Sequence, residues 1–237
     1  MFVFPSRRYV ALGLGLLALI TSNGCSYARA RPKWVQSITF WEAREIDEKY
    51  LKKTPAEEIE ELRELVEKIP SQTAEEQSRT ASDLSQRYRN ESDPLIRIEL
   101  LTAVARCGSA VAGETLRAGL GDSDRDVRVA ACLGWGIHGG PQAVPQLSEA
   151  IRKDASVDVR LAAGRALGQL GGDDAVAALR PALDDPDPAL QYRAMQSLRE
   201  ITGKDFGDNV VSWREYIRGE GAPAEISLVE RMKLKAF

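Results

Sequence analysis

His138 is the only histidine in the chain of 237 residues. As a general base it would need a partner within hydrogen-bond reach and a cleft, and the sequence offers neither. It falls in one repeat column with Cys107, Leu170 and Ile201, which predicts a core-facing, hydrogen-bonded imidazole. Cys107 and Cys132 are the thiols of the central region. In repeat register Cys132 stands opposite Leu101, six residues before Cys107, which at about 1.5 Å per residue separates the two thiols by roughly 9 Å. Two separate buried thiols are expected. The carboxylate pairs Asp173-Asp174 and Asp184-Asp185 fall in turns and at helix starts, where Asp is ordinary capping material. No Gly-rich phosphate loop, nucleophile elbow or metal-ligand spacing is present. The expectation is a protein without catalysis, cofactor, metal or small-molecule ligand.

The elements that carry these residues repeat. Asp93-Pro94-Leu95-Ile96-Arg97, Asp124-Arg125-Asp126-Val127-Arg128, Ser156-Val157-Asp158-Val159-Arg160 and Asp187-Pro188-Ala189-Leu190-Gln191 begin at intervals of 31, 32 and 31 residues. Upstream of each, the apolar pairs Leu84/Tyr88, Leu116/Leu120, Leu147/Ile151 and Leu179/Leu183 recur at 32, 31 and 32. Two columns sharing one period across four copies signal a solenoid of helical hairpins. Asp or Ser opens each second helix as a cap. Pro94 and Pro188 stand where a missing N–H costs nothing. Ile96, Val127, Val159 and Leu190 start an apolar stripe at helical spacing. Ala103, Gly134, Ala166 and Ser197 lie beside it and allow close approach. Gly108, Gly139, Gly171 and Gly203 close the helices.

The outward columns of the second helices hold Thr102 and Arg106, Leu133 and Ile137, Arg165 and Gln169, and Gln196 and Glu200. Only the second unit is apolar there. With Arg165, Gln169 and Arg193 beside them, Leu133 and Ile137 are expected to form an apolar spot rimmed by polar groups, a pattern that marks binding surfaces.

The motifs DRDVRVAACLGWG and SVDVRLAAGRALGQLG resemble HEAT repeats, of the short type found in phycobilisome-lyase-like proteins, over roughly residues 74–203. The resemblance implies an all-α, right-handed solenoid of about four hairpins, with second helices lining a concave face that binds protein partners. It also implies structural roles for Asp93, Asp124 and Asp187, and a ladder of Arg97, Arg128 and Arg160 that ends at Gln191. A Pro such as Pro181 in a first helix is a kink the family tolerates. Some relatives attach or remove bilin chromophores, so a bilin lyase is one rival reading, against which stand the export signal and the missing catalytic constellation. A structural envelope component binding wall or lipid is another.

The flanks read as caps and an address. Thr54-Pro55-Ala56-Glu57 starts a capping helix within 54–72, and Thr73-Ala74-Glu75-Glu76 starts the repeats, which run over 73–203. Val210, Trp213 and Ile217 mark a capping half-repeat within 204–218. The tail, 219–237, is either a short docking helix or disordered. At the other end, 26–53 is a tether and a helix. Residues 1–25 carry Arg7 and Arg8 and then an uncharged run from Val10 to Ile20, 11 residues long, which is too short to span a bilayer. With Gly24-Cys25 after it, this resembles a bacterial lipoprotein signal whose Cys25 is lipidated. An ordinary cleaved signal and an uncleaved anchor are the alternatives. That address places the chain in the bacterial envelope, on the periplasmic side, with the outer membrane slightly preferred because Ser26 follows the cysteine. Lys and Arg total 32 against 35 acids, a net charge of −3. This argues against nucleic-acid binding and leaves membrane attachment to the lipid.

Overall fold

The computed structural model describes residues 53–219. The leader, Cys25, the tether and the tail beyond Gly219 lie outside the described residues. Within them the chain forms helices and no strand. In order these are α1 (Pro55–Lys68), a 3-10 turn (Ile69–Ser71), α2 (Ala74–Asn90), α3 (Pro94–Ala105), α4 (Ala110–Gly119), α5 (Arg125–His138), α6 (Ala143–Lys153), α7 (Val157–Leu170), α8 (Gly172–Ala178), α9 (Arg180–Leu183), α10 (Pro188–Thr202) and α11 (Val210–Arg218).

Local chemistry sets the helix starts. Thr54 and Thr73 both form reciprocal capping boxes: each threonine oxygen accepts from the backbone N–H three residues on, at 3.3 Å, and Glu57 or Glu76 returns the bond to the threonine N–H, at 2.9 and 2.8 Å. The same bonds hold both glutamate carboxyls below their ordinary range. Asp93, Asp124 and Asp187 cap α3, α5 and α10 through their side chains. Ser156 does not: its hydroxyl makes no capping bond, and Asp158 supplies the negative charge in the first turn of α7. Gly139, Gly171 and Gly203 end their helices with positive φ of 67°, 69° and 67°. Gly108 does not share that conformation, because α3 already stops at Ala105. Pro181 breaks its first helix into α8 and α9 rather than kinking it.

Four hairpins result: α2–α3, α4–α5, α6–α7 and α8/α9–α10. The second helices stack as one layer, each against the next, and α1 joins that layer against α3. The helix expected as a polar cap is thus a second-type helix, anchored by buried Leu62 and tied to the stack by Arg63 donating to Glu99 (2.7 Å) and Arg87 to Glu58 (2.6 Å). At the other end α11 packs on α9 and α10 as a first-type helix. Buried Phe206 and Trp213 meet edge to face at 4.8 Å, and the Trp213 indole donates to Gly207 O.

Small residues set the spacing of the second-helix layer. A Cβ on Gly134 would lie 3.4 Å from Ala105 Cβ, one on Gly136 3.1 Å from Ala166 Cβ, and one on Gly168 2.9 Å from Ser197 Cβ. Ser197 also donates to Gly164 O across the α7–α10 seam. The first helices stand further apart, and a cleft of about 390 Å³ opens between α4 and α6. Closer approach on one side curves the array toward the second helices, which therefore form its inner face. In the column of Ala105, Gly136 and Gly168, α10 carries Arg199, which binds Asp205 at 3.1 Å.

Candidate partner-binding face

The inner face is held in register by a ladder at the helix starts. Arg97 pairs with Asp122 (3.0 Å), Arg128 with Asp154 (2.8 Å) and Arg160 with Asp185 (3.2 Å), each reaching forward into the next unit. Each guanidinium also donates backward to two carbonyls of its own loop, for Arg128 those of Asp122 and Ser123 at 2.9 and 3.2 Å. The paired carboxylates then accept from the cap residue of the next helix: Asp122 from Asp124 N, Asp154 from Ser156 N, Asp185 from Asp187 N, at 2.8 to 2.9 Å. Gln191 keeps the backward bond, to Asp185 O at 2.7 Å, and makes no forward pair. The carboxylate column 122, 154 and 185 was missing from the sequence reading, although its spacing of 32 and 31 residues is the repeat period.

Ile137, Arg165 and Gln169 are exposed, and Leu133 and Arg193 are half-buried. Leu133 and Ile137 line a groove of about 290 Å³ between α3 and α5, together with Ile98, Thr102, Asp126, Val129, Ala130 and Gly134. Arg165, Gln169 and Arg193 are not among its lining. Gln169 lies over Gly136 on the far side of α5, and the Arg193 stem lies over Gly164. The expected rim is therefore displaced: the apolar walls come from α3 and α5, and the polar groups follow on α7 and α10. A second feature escaped the sequence reading. Ile98, Val129, Leu161 and Tyr192 recur at 31, 32 and 31 residues and carry an apolar row across all four second helices, the first three half-buried and Tyr192 exposed.

The groups with catalytic potential lie apart from this face. His138 is half-buried at the end of α5, and its Nδ1 lies 3.1 Å from Cys107 O. The ring meets Trp135 edge to face at 5.8 Å, and both line the α4–α6 cleft on the first-helix side. Its column is thus less enclosed than the core position expected. Cys107 and Cys132 are both free and buried. Burial pushes their thiols up to about 11 and about 12, away from the thiolate form. Among the described residues no group of three His, Cys, Asp or Glu side chains is placed to hold a metal ion, and no helix is long and apolar enough to cross a membrane.

Stacked hairpins with an Arg–Asp ladder and a small-residue inner layer define an α-solenoid of the HEAT class. The HEAT-repeat family model matches residues 81–157 and 144–212. The chain belongs to the HEAT-repeat family. Among solved structures it is similar to human deoxyhypusine hydroxylase, determined in complex with glycerol, with 25% identity and a TM-score of 0.48 over 52% of this chain and 44% of that one. The chain thus spans less than half the length of that protein. No curated protein matches it in sequence.

Proposed function

We propose that the chain is a non-catalytic, lipid-anchored scaffold of the bacterial envelope that binds a protein partner on the inner face of its HEAT array. The observation that carries this reading is the groove between α3 and α5, where Leu133 and Ile137 stand at positions that are polar in the third and fourth units. A face built from parallel helices, with apolar side chains and satisfied backbone, suits a polypeptide rather than a reacting small molecule. The anchor rests on Gly24-Cys25 after the uncharged run, and the phycobilisome-lyase-like subtype rests on the DRDVRVAACLGWG and SVDVRLAAGRALGQLG motifs. Photo-crosslinkers placed at Leu133 and Arg165 in intact cells test the partner: one stoichiometric protein, lost on Leu133→Glu, is expected. Loss of labelled fatty acid on Cys25→Ala tests the anchor. An envelope fraction in which neither position captures any protein would overturn the scaffold reading.

A further inference from the structure

The four second helices of the repeats leave a specific imbalance on the inner face. Of the four large hydrophobic residues exposed among the described residues, three lie there: Leu95 (62% exposed), Ile137 (47%) and Tyr192 (46%). The acids of the same face are mostly satisfied from within. Glu99 pairs with Arg63, and Asp126 and Asp158 both pair with Arg125. Glu200 is the exception. The cations differ: Arg106, Arg165 and Arg193 are carried by α3, α7 and α10 on this face, and among the described residues no side-chain hydrogen bond or ion pair engages their guanidiniums. In a chain whose net charge is −3, these three guanidiniums outnumber the uncompensated carboxylates of the same face, since Asp126 and Asp158 share Arg125 and Glu200 adds one more, and the remaining positive charge complements an anion. Arginine is the side chain best suited to binding carboxylates at an interface, through its planar fork and weak hydration.

We infer that the inner face takes an acidic polypeptide segment, whose apolar side chains seat in the α3–α5 groove and along the row ending at Tyr192, while its carboxylates meet Arg106, Arg165 and Arg193. This deepens the partner-binding reading above and rests on it. The groove favours a segment over a bilayer, because a flat lipid surface cannot follow its floor between two helices.

Fluorescence anisotropy with the full chain in detergent tests the inference. The probes are a short peptide of Leu, Glu and Ser and its counterpart with Lys in place of Glu. The Glu peptide is expected to bind, more weakly as salt rises. Arg165→Glu and Ile137→Glu are each expected to weaken it about tenfold, with the helical circular dichroism unchanged. Equal or tighter binding of the Lys peptide overturns the charge assignment. Binding indifferent to both substitutions overturns the location. Phosphatidylglycerol vesicles bound in a substitution-sensitive way, with no peptide binding, overturn the segment in favour of a membrane surface. The two readings fail separately. If crosslinking at Leu133 captures a neutral or basic segment, the acidic class falls and the scaffold stands; if nothing is captured, the scaffold falls whatever the peptides do.

Discussion

Asp154→Ala removes the carboxylate that joins the second and third units, and its cost follows from three bonds. Asp154 accepts from Arg128 Nε at 2.8 Å, from a second Arg128 nitrogen at 3.3 Å, and from Ser156 N at 2.8 Å. The two side chains are 18% and 12% exposed, between surface and interior. Losing one partner costs about 3–5 kcal/mol when the pair is buried and about 0–1 when it is at the surface, so about 2 kcal/mol is expected here. The lost acceptor for the Ser156 N–H adds about 1 kcal/mol. The comparison is Asp93→Ala, which removes a cap to Leu95 N at 2.8 Å and no ion pair; it is expected to cost about 1 kcal/mol. Urea denaturation of both variants measures the difference. Amide exchange is expected to show the Asp154 loss concentrated in α6 and α7, because contacts in a solenoid run between neighbours. Arg128→Met combined with Asp154→Ala is expected to cost about 1 kcal/mol less than the sum of the single changes, since no unpaired charge remains. Equal costs for the two alanine variants would refute the ladder and leave only a set of helix caps.

Other perturbations test other parts. Gly134→Ala, whose Cβ would lie 2.5 Å from Leu116 Cδ2, is expected to destabilise by about 1–3 kcal/mol, whereas Gly113→Ala, at 3.4 Å from Trp135, stays near neutral in thermal melts. Ile137→Glu, at a position 47% exposed, is expected to shift stability by less than about 0.5 kcal/mol while abolishing partner capture. The two thiols give the array an alkaline limit. Their folded-state values, about 11 and about 12, lie above the unfolded value, so above about pH 9 the unfolded chain loses protons that the folded chain keeps. Stability is full below that pH and falls as pH rises through the folded values, at roughly 1.4 kcal/mol per unit for each thiol. Burial and the Asp122 hydrogen bond raise Tyr88 as well and extend the fall. Cys132→Ala is expected to flatten the alkaline slope in chemical denaturation across pH, and an unchanged slope would sink the assignment.

The solenoid was legible because its signals repeat. Caps, stripe and arginines each recur at a fixed interval, and four copies average out the noise of any one. The arginine column was readable through the family likeness, but its partners were not. Asp122, Asp154 and Asp185 sit two residues before the caps, in loops where Asp is common, and the first unit has Glu91 there instead. The placement of α1 escaped for a different reason: Pro55 precedes Pro94 by 39 residues rather than 31 or 32, because α2 runs for 17 residues against 10 and 11 in α4 and α6, and the 3-10 turn adds three more. The groove was half legible. Leu133 and Ile137 could be put on the outer side of one helix from their spacing, but the opposite wall, Ile98 and Thr102, depends on how far α3 slides along α5. The Ser156 cap and the Gly108 terminus were inferred by analogy with their columns, and the local backbone overrode both.

Arg199 and Gln191 set α10 apart from the second helices before it. Wherever the stack continues, a forward-reaching guanidinium and a hydrogen or methyl in the seam invite the next unit in. On α10 the forward-reaching arginine is replaced by Gln191, and an arginine stands instead in the seam column, where Arg199 pairs with Asp205. The last second helix among the described residues thus differs from the others at two columns of the repeat, and α11 packs against it and α9.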